Sequence, residues 1–177
     1  MATDDLARLL AKDEIRELAF RYALALDSRD FETFAGLFTR EGVFEGVLTG
    51  ATVGSAEIAR SVAKTFKAFG ATVHFVSNHV IDLESDSTAR GVVYTRAEHE
   101  VDGQWIVQAM QYWDRYELQD GRWRFAGRRL LAWYAVDKLD RPLGHDTMRW
   151  PTAEVARRTL PEAWPTFAVY EREKHAL

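Results

Sequence analysis

Two Asp-Gly pairs, Asp102-Gly103 and Asp120-Gly121, divide the middle of this 177-residue chain into three long runs rich in Val, Ile, Tyr, Trp and Thr. β-branched and aromatic residues suit a pleated strand, and Asp-Gly accepts the left-handed backbone of a two-residue hairpin turn. The runs near 88–101, 105–119 and 122–137 are therefore expected to form an antiparallel meander, preceded by a strand at 72–84. Strands this long need an apolar cover on one face, and the cover lies upstream. Leu6, Leu9, Leu10, Ile15, Leu18, Phe20, Tyr22, Ala25 and Leu26 recur at helical spacing, which predicts a helix ending near Asp27-Ser28. Asp30 is placed to cap a short second helix carrying Phe31, Phe34, Leu37 and Phe38. Gly42 then leads into a strand over 43–48. Ser55 opens a third helix with Ile58, Val62, Phe66 and Phe69 on one stripe, and Gly70 is a natural stop. Helices followed by antiparallel strands give an α+β order, in which a curved sheet wrapped around the first helices encloses a cavity.

Residues 1–138 form the expected domain. The remainder, 139–177, holds all four prolines and reads as a loop with short helices near 152–159 and 162–173. It is too short for a second domain and is expected to cap a pocket or contact a neighbouring subunit. Six Trp, six Tyr and ten Phe supply stiff apolar walls for a core or for a ring-shaped ligand. The net charge of −4 argues against nucleic acid, which needs a concentrated basic face. The nearest basic cluster, Arg122, Arg124, Arg128 and Arg129 around Trp123 and Phe125, reads as a solvated strand face with one buried arginine. The absence of cysteine excludes thiol chemistry and thiolate metal sites. No stretch is apolar enough for a signal peptide or a membrane span, so a cytoplasmic protein is expected.

Three blocks carry a resemblance. They are Asp13-Glu14-Ile15-Arg16-Glu17-Leu18 with Arg21 to Asp27, Phe34 to Phe44, and the His74-Phe75-Val76-Ser77-Asn78 strand followed by the Tyr112 to Phe125 hairpin. Over roughly residues 8–136 the chain resembles the SnoaL-like branch of the NTF2-like superfamily. This superfamily includes bile acid 7α-dehydratase, hexachlorocyclohexane dehydrochlorinase and scytalone dehydratase. The resemblance implies an NTF2-like cone, a curved antiparallel or mixed sheet around N-terminal helices with an apolar pocket inside. It also implies a His-Asp dyad, Asp27 at the end of the first helix and His74 on the strand after the third. Tyr22 precedes Asp27 by the five residues seen in the dehydratase, where the dehydrochlorinase has Lys. Arg128 stands where the dehydrochlorinase has an Arg.

A His held by a carboxylate makes a general base, because the Asp fixes the imidazole tautomer and stabilises the imidazolium. Phe20, Phe31, Phe34, Phe66 and Phe75 imply an apolar surround. Taken alone, Asp27 reads first as a turn cap and His74 as a satisfied strand histidine, and the resemblance reverses both readings. Tyr22 and Asp27 lie roughly 140° apart on a helix, so both reach one pocket only if Asp27 sits at the helix end. Arg128 would bind an anionic leaving group, unless a bulge makes Arg129 the inward one. His79 competes with His74; five apart on a regular strand, they face opposite sides, whereas Asn78 shares the His74 face. His99 has no supporting context, and the alternating Glu98-His99-Glu100 does not read as a metal site. Strict pairing across the turns puts Trp113 opposite Arg128 and Tyr94 opposite Gln111. These would line the pocket, or Tyr112 and Met110 if the other face is concave.

The expectation is a cofactor-independent lyase of dehydratase, elimination or retro-aldol type, or an isomerase, acting without metal on a hydrophobic aromatic or polycyclic molecule. Asp27, His74, Tyr22 and Arg128 would be catalytic, and Asn78, Trp113, Tyr112 and Tyr94 would bind substrate. A homo-oligomer, dimer or trimer, is expected. The alternative is a non-catalytic ligand-binding module or the small subunit of a ring-hydroxylating dioxygenase.

Overall fold

The computed structural model describes residues 2–141, 143, 146–151 and 157–173. Its elements are α1 (Ala2–Asp27), α2 (Phe31–Gly36), β1 (Phe38–Gly46), β2 (Gly50–Val53), α3 (Ser55–Phe66), β3 (Thr72–Leu83), β4 (Thr88–Val101), β5 (Gln104–Gln119), β6 (Arg122–Asp137) and α4 (Pro165–Glu173). The strands form one mixed sheet of order β2-β1-β6-β5-β4-β3, in which β1 runs parallel to β6 and every other pair is antiparallel. This is the α+β helix-and-sheet arrangement that the element order implies. The short strand β2 was not expected, because its four residues, Gly50 to Val53, are too few to carry an apolar alternation. Among the described residues no helix is long and apolar enough to cross a membrane.

Local chemistry sets the boundaries. The Asp30 side chain accepts from the Thr33 backbone N–H and caps α2. Both Asp-Gly pairs lie in the left-handed region, Asp102 and Gly103 at φ 49° and 73°, and Asp120 and Gly121 at 55° and 73°. Positive φ at both central residues matches the twist of the flanking strands. α1 buries Ile15, Leu18, Tyr22, Ala25 and Leu26 against the sheet, but its first turns run past the core and leave Leu6, Leu9 and Leu10 exposed. The helix expected at 152–159 falls partly outside the described residues. α4 is shorter than the 162–173 expected, because Pro161 to Ala163 form a turn.

Three bulges decide which side chains face inward. On β3, Val76 pairs with Thr95 and His79 with Val93, so Ser77 and Asn78 together oppose Tyr94. On β6, Phe125 pairs with Tyr116 and Gly127 with Arg115, leaving Ala126 extra; Trp133 is extra in the same way further on. Each extra residue inverts the in-out alternation beyond it. Arg128 therefore pairs with Asp114 on the inner face, and Arg129 pairs with Trp113 on the outer face, correcting the strict pairing across the turn. The β3 bulge likewise brings His79 inward with His74 and turns Asn78 out to solvent.

The inner face carries a charge pair within the core. Arg128 Nε and Nη2 donate to Asp114 Oδ1 and Oδ2 at 2.8 and 2.7 Å, and both side chains are 0% exposed. The guanidinium also lies 4.1, 4.2 and 4.0 Å from the ring centres of Tyr22, Tyr112 and Phe125. Tyr116 donates to Asp114 Oδ2 at 2.7 Å, and His79 Nε2 meets the Tyr116 hydroxyl at 2.9 Å. Removing one member of such a pair strands a buried charge, at a cost of ~3–5 kcal/mol. Asp114→Ala is thus expected to lower the urea midpoint by that equivalent, and Tyr116→Phe, which removes one donor to Asp114, by ~1–2 kcal/mol. Urea unfolding followed by far-UV circular dichroism measures both.

Candidate functional site

The dyad residues come from two elements that meet at one edge of the sheet. Asp27 is the last residue of α1, and His74 lies near the start of β3. The His74 Nδ1 atom is 2.7 Å from Asp27 Oδ1, and the His74 backbone N–H donates to Asp27 Oδ2 at 2.8 Å. The Thr72 hydroxyl donates to Asp27 Oδ1 at 2.8 Å. The His74 side chain is 5% exposed and that of Asp27 24%. Burial pushes the Asp27 carboxyl up, but the His74 hydrogen bonds and charge, with Thr72, outweigh it and hold the group below its ordinary value. A carboxylate accepting at both oxygens makes Nδ1 the protonated nitrogen of a neutral His74 and leaves its lone pair on Nε2. No protein group bonds Nε2 among the described residues.

His74 lines a narrow cleft of about 70 Å³ whose walls are mostly apolar. Phe66 stacks parallel to the His74 ring at 6.5 Å, and Leu26, Phe44, Val62, Met110 and Leu130 complete the apolar lining. Phe20 and Phe75, expected in this surround, are 48% and 53% exposed, because their positions on α1 and β3 alternate outward. Tyr22 and Tyr112 line the cleft. Tyr22 is buried one and a half turns before the helix end that carries Asp27. Burial raises its hydroxyl pKa to about 12, partly opposed by Arg128, so it remains a proton donor across the ordinary pH range.

The other expected site residues lie elsewhere. Arg128 sits behind Tyr22 and Tyr112, closed off from the cleft and bound to Asp114. Trp113 and Tyr94 are on the outer sheet face. There Trp113 lines a separate groove with Arg90, Arg115 and Arg129, and Tyr94 stacks on Trp133. Asn78 is exposed at the β3 bulge.

Sequence reasoning missed His99 and Trp150. His99 is 4% exposed and meets the His74 ring edge-on at 5.5 Å. The alternation of β4 carried the signal, since Val93, Ala97 and Val101 mark His99's face as the buried one. Trp150 comes from the tail. Met148 bridges Ala135 in parallel beside the far half of β6, and Trp150 then stacks on Phe69 at 5.9 Å and meets the His99 ring at a tilt, 5.4 Å between centres. Both residues line the cleft, and His99 Nδ1 and Trp150 Nε1 are buried without a protein hydrogen-bond partner. The cleft thus has an apolar body, a histidine with an unbonded Nε2 at one wall and two unsatisfied polar atoms near it.

The SnoaL-like domain model matches residues 7–129. The chain belongs to the SnoaL-like domain family. Among curated proteins no sequence matches. Several solved structures share the fold. One, from Novosphingobium aromaticivorans and provisionally named a scytalone dehydratase, is 22% identical with a TM-score of 0.70, covering 91% of this chain and 98% of that one. The hexachlorocyclohexane dehydrochlorinase LinA-type3 of Novosphingobium barchaimii is 19% identical with a TM-score of 0.71, covering 79% and 98%. A protein of Novosphingobium aromaticivorans provisionally named an aromatic ring hydroxylase is 20% identical with a TM-score of 0.68, covering 75% and 96%. At these identities the likeness is one of fold, and three different activities are named on it.

The buried His99 gives the site a pH signature. Burial, reinforced by the nearby His74, lowers its pKa to about 3. In the folded chain His99 is then neutral across the window in which the unfolded chain takes up a proton, from about 6.5 downward. Its contribution to stability is complete above about pH 6.5 and is lost as the pH falls toward 3, at up to ~1.4 kcal/mol per pH unit. His99→Phe is expected to make the pH dependence of unfolding free energy shallower by up to that slope between pH ~6 and ~4. Urea titrations at stepped pH values measure it.

Proposed function

We propose that this SnoaL-like protein is a cofactor-independent lyase, or an isomerase by the same first step, acting on a hydrophobic aromatic or polycyclic small molecule. The observation that carries the reading is the short His74–Asp27 contact at the wall of an apolar cleft, with Nε2 left unbonded. His74 Nε2 takes a proton from a carbon beside an activating group, and Asp27 stabilises the imidazolium that results. In elimination the C–H electron pair becomes the new C=C bond while the adjacent bond breaks, its electrons leaving with hydroxide or halide. The proton on His74 then passes to the leaving group or to solvent. In isomerisation His74 returns it to another carbon of the same molecule.

Tyr22 donates a hydrogen bond to the departing group in this reading without giving up its proton, because it lines the cleft and its pKa is raised. Arg128 acts from behind: its charge lies against the Tyr22 and Tyr112 rings and favours negative charge developing on the cleft side of Tyr22. His99 and Trp150 are the polar atoms available to an oxygen substituent on the ligand. The names of the dehydratase- and dehydrochlorinase-like structures agree with lyase chemistry in this fold.

Proton abstraction is measurable before the physiological substrate is known. The chain is incubated in D₂O with a panel of aromatic and polycyclic carbon acids, and loss of the activated C–H signal is followed by ¹H NMR. His74→Ala and Asp27→Asn are expected to slow exchange of a responsive compound by ~10²–10⁴-fold. His79→Gln, a change behind Tyr116, is expected to leave it within several-fold of the parent. Equal exchange in all variants assigns the cleft to ligand binding alone.

A further inference from the structure

Gln108 is a polar group that neither the dyad nor the buried charge pair uses. It lies in β5 on the inner face, between Ile106 and Met110, and is 5% exposed. No protein group bonds its amide among the described residues. A side-chain amide offers two donor hydrogens and an acceptor oxygen, and a buried one left unpaired is uncommon. Cross-strand register shows what it faces. Met148, Ala135, Gln108, Ala97 and His74 form one row across the sheet, each paired with the next. The alanines on either side leave the space beside the amide open, and Gln108 lines the cleft together with His74, His99 and Trp150. His74 and Gln108 are two strands apart in this row, so roughly 10 Å separates their backbones, with Ala97 between. His99 and Trp150, two residues beyond Ala97 and Met148, bring their rings to 5.4 Å beside the row.

The charge of the lining narrows what this end of the cleft can hold. No Lys, Arg, Asp or Glu lines the cleft among the described residues. Burial keeps His99 neutral, and the Asp27 carboxylate stands behind His74. An anionic ligand would lose its hydration there without gaining a counter-charge. The Trp150 indole only donates, whereas the Gln108 amide donates and accepts, so together they suit an oxygen with a lone pair to share. We propose that Gln108, with Trp150 and His99 beside it, forms a subsite for one uncharged oxygen substituent, a ketone or a phenol, which orients an aromatic ligand across the row from His74. A ring lying over Ala97 then presents a carbon to His74 Nε2 while its oxygen meets Gln108. The inference rests on the cleft being the ligand site, as proposed above, and adds the substituent that the ligand carries. Trp150 lies beyond the family match over residues 7–129, so the tail supplies part of the subsite.

Single-ring probes separate the parts of this proposal: toluene without oxygen, phenol and acetophenone with an uncharged hydroxyl or carbonyl, and benzoate with a charge. Each is titrated near pH 7 into the full ¹⁵N-labelled chain. ¹H–¹⁵N spectra follow the Gln108 side-chain amide and the Trp150 indole, assigned from Gln108→Leu and Trp150→Phe. Phenol or acetophenone is expected to move both signals and to bind about tenfold tighter than toluene, the scale of one hydrogen bond. The comparison of these two tells a hydroxyl site from a carbonyl site. Benzoate should bind more weakly than either. Gln108→Leu should bring the preferred probe to within about twofold of toluene. It should also leave the urea midpoint unchanged or higher, because an unpartnered amide gives way to an apolar group in apolar surroundings; loss of a merely structural amide would lower it. Trp150→Phe, which keeps a ring but removes the donor, should reduce the same preference and carries the test if Gln108→Leu fails to fold. Toluene bound by the parent as tightly as phenol and acetophenone, an unchanged preference in folded Gln108→Leu, or benzoate bound most tightly overturns the proposal and leaves the dyad reading standing. Failure of every probe to move any cleft signal refutes the cleft as a ligand site, and both readings fall together.

Discussion

A complete charge pair buried under the floor of the cleft constrains the rest of the structure. Arg128 and Asp114 have no exposure, and desolvating two ions is affordable only when nearly every hydrogen-bonding position is filled and the charge is spread. The chain meets this demand with two parallel N–H···O contacts, a third donor from Tyr116, and three aromatic faces around the guanidinium. Those faces belong to α1, β5 and β6. The pair therefore locks the first helix to the centre of the sheet and sets the positions of Tyr22 and Tyr112, whose other sides form the cleft. An Asp27 that must reach β3 from the end of the same helix depends on that lock.

The same pair shows which parts of the structure could be read from the amino-acid order. The strands, their two left-handed turns and the Asp30 cap follow from local chemistry and lie close to where residue types place them. The partnership of Asp27 with His74 came from a resemblance in motif spacing, since neither residue's surroundings mark it as more than a turn cap or a strand histidine. Facing was harder. A strand's parity survives only until the first bulge, and Ala126, Trp133 and the Ser77-Asn78 pair carry no residue-type signature of one. That is why Arg128 changes faces relative to Trp113, why His79 joins His74 on the inside, and why Asn78 leaves the site. Trp150 was out of reach for a different reason. Its place depends on a parallel bridge between Met148 and Ala135, a contact with no periodic pattern.

The fold holds two Asp-His-Arg groupings, one on the inner sheet face and one where the end of α1 meets β3, and they differ in how each histidine is placed to take a proton. In the core grouping, His79 is separated from Asp114 by the Tyr116 hydroxyl, and its Nδ1 is buried with no partner. Burial depresses its pKa to about 4, the Asp114 charge only partly opposing this. A histidine that disfavours its own protonated form is a poor acceptor of a substrate proton. The edge grouping inverts each feature. His74 meets Asp27 directly, Asp27 is partly exposed, and the free nitrogen belongs to a ring that lines the cleft. Arg29 bonds Thr72 and not the carboxylate itself, so it does not neutralise the acid as Arg128 neutralises Asp114.

This difference follows from where each aspartate sits. Asp114 is in mid-strand on a buried face, where only a full counter-charge makes a carboxylate tolerable. Asp27 is at a helix C-terminus, where the macrodipole is unfavourable to an anion and would raise its pKa. The three donors from Thr72 and His74 oppose both that field and partial burial, and against burial they hold the Asp27 carboxyl below its ordinary value. The stabilisation of the carboxylate thus comes from hydrogen bonds made chiefly by the residue it orients. When His74 gains a proton, the same contact becomes an ion pair, at a site where a bare cation near buried His99 and Phe66 would otherwise be penalised. An aspartate placed against its helix dipole and compensated by its own histidine is poised to respond to that proton, whereas one already neutralised by an arginine is not.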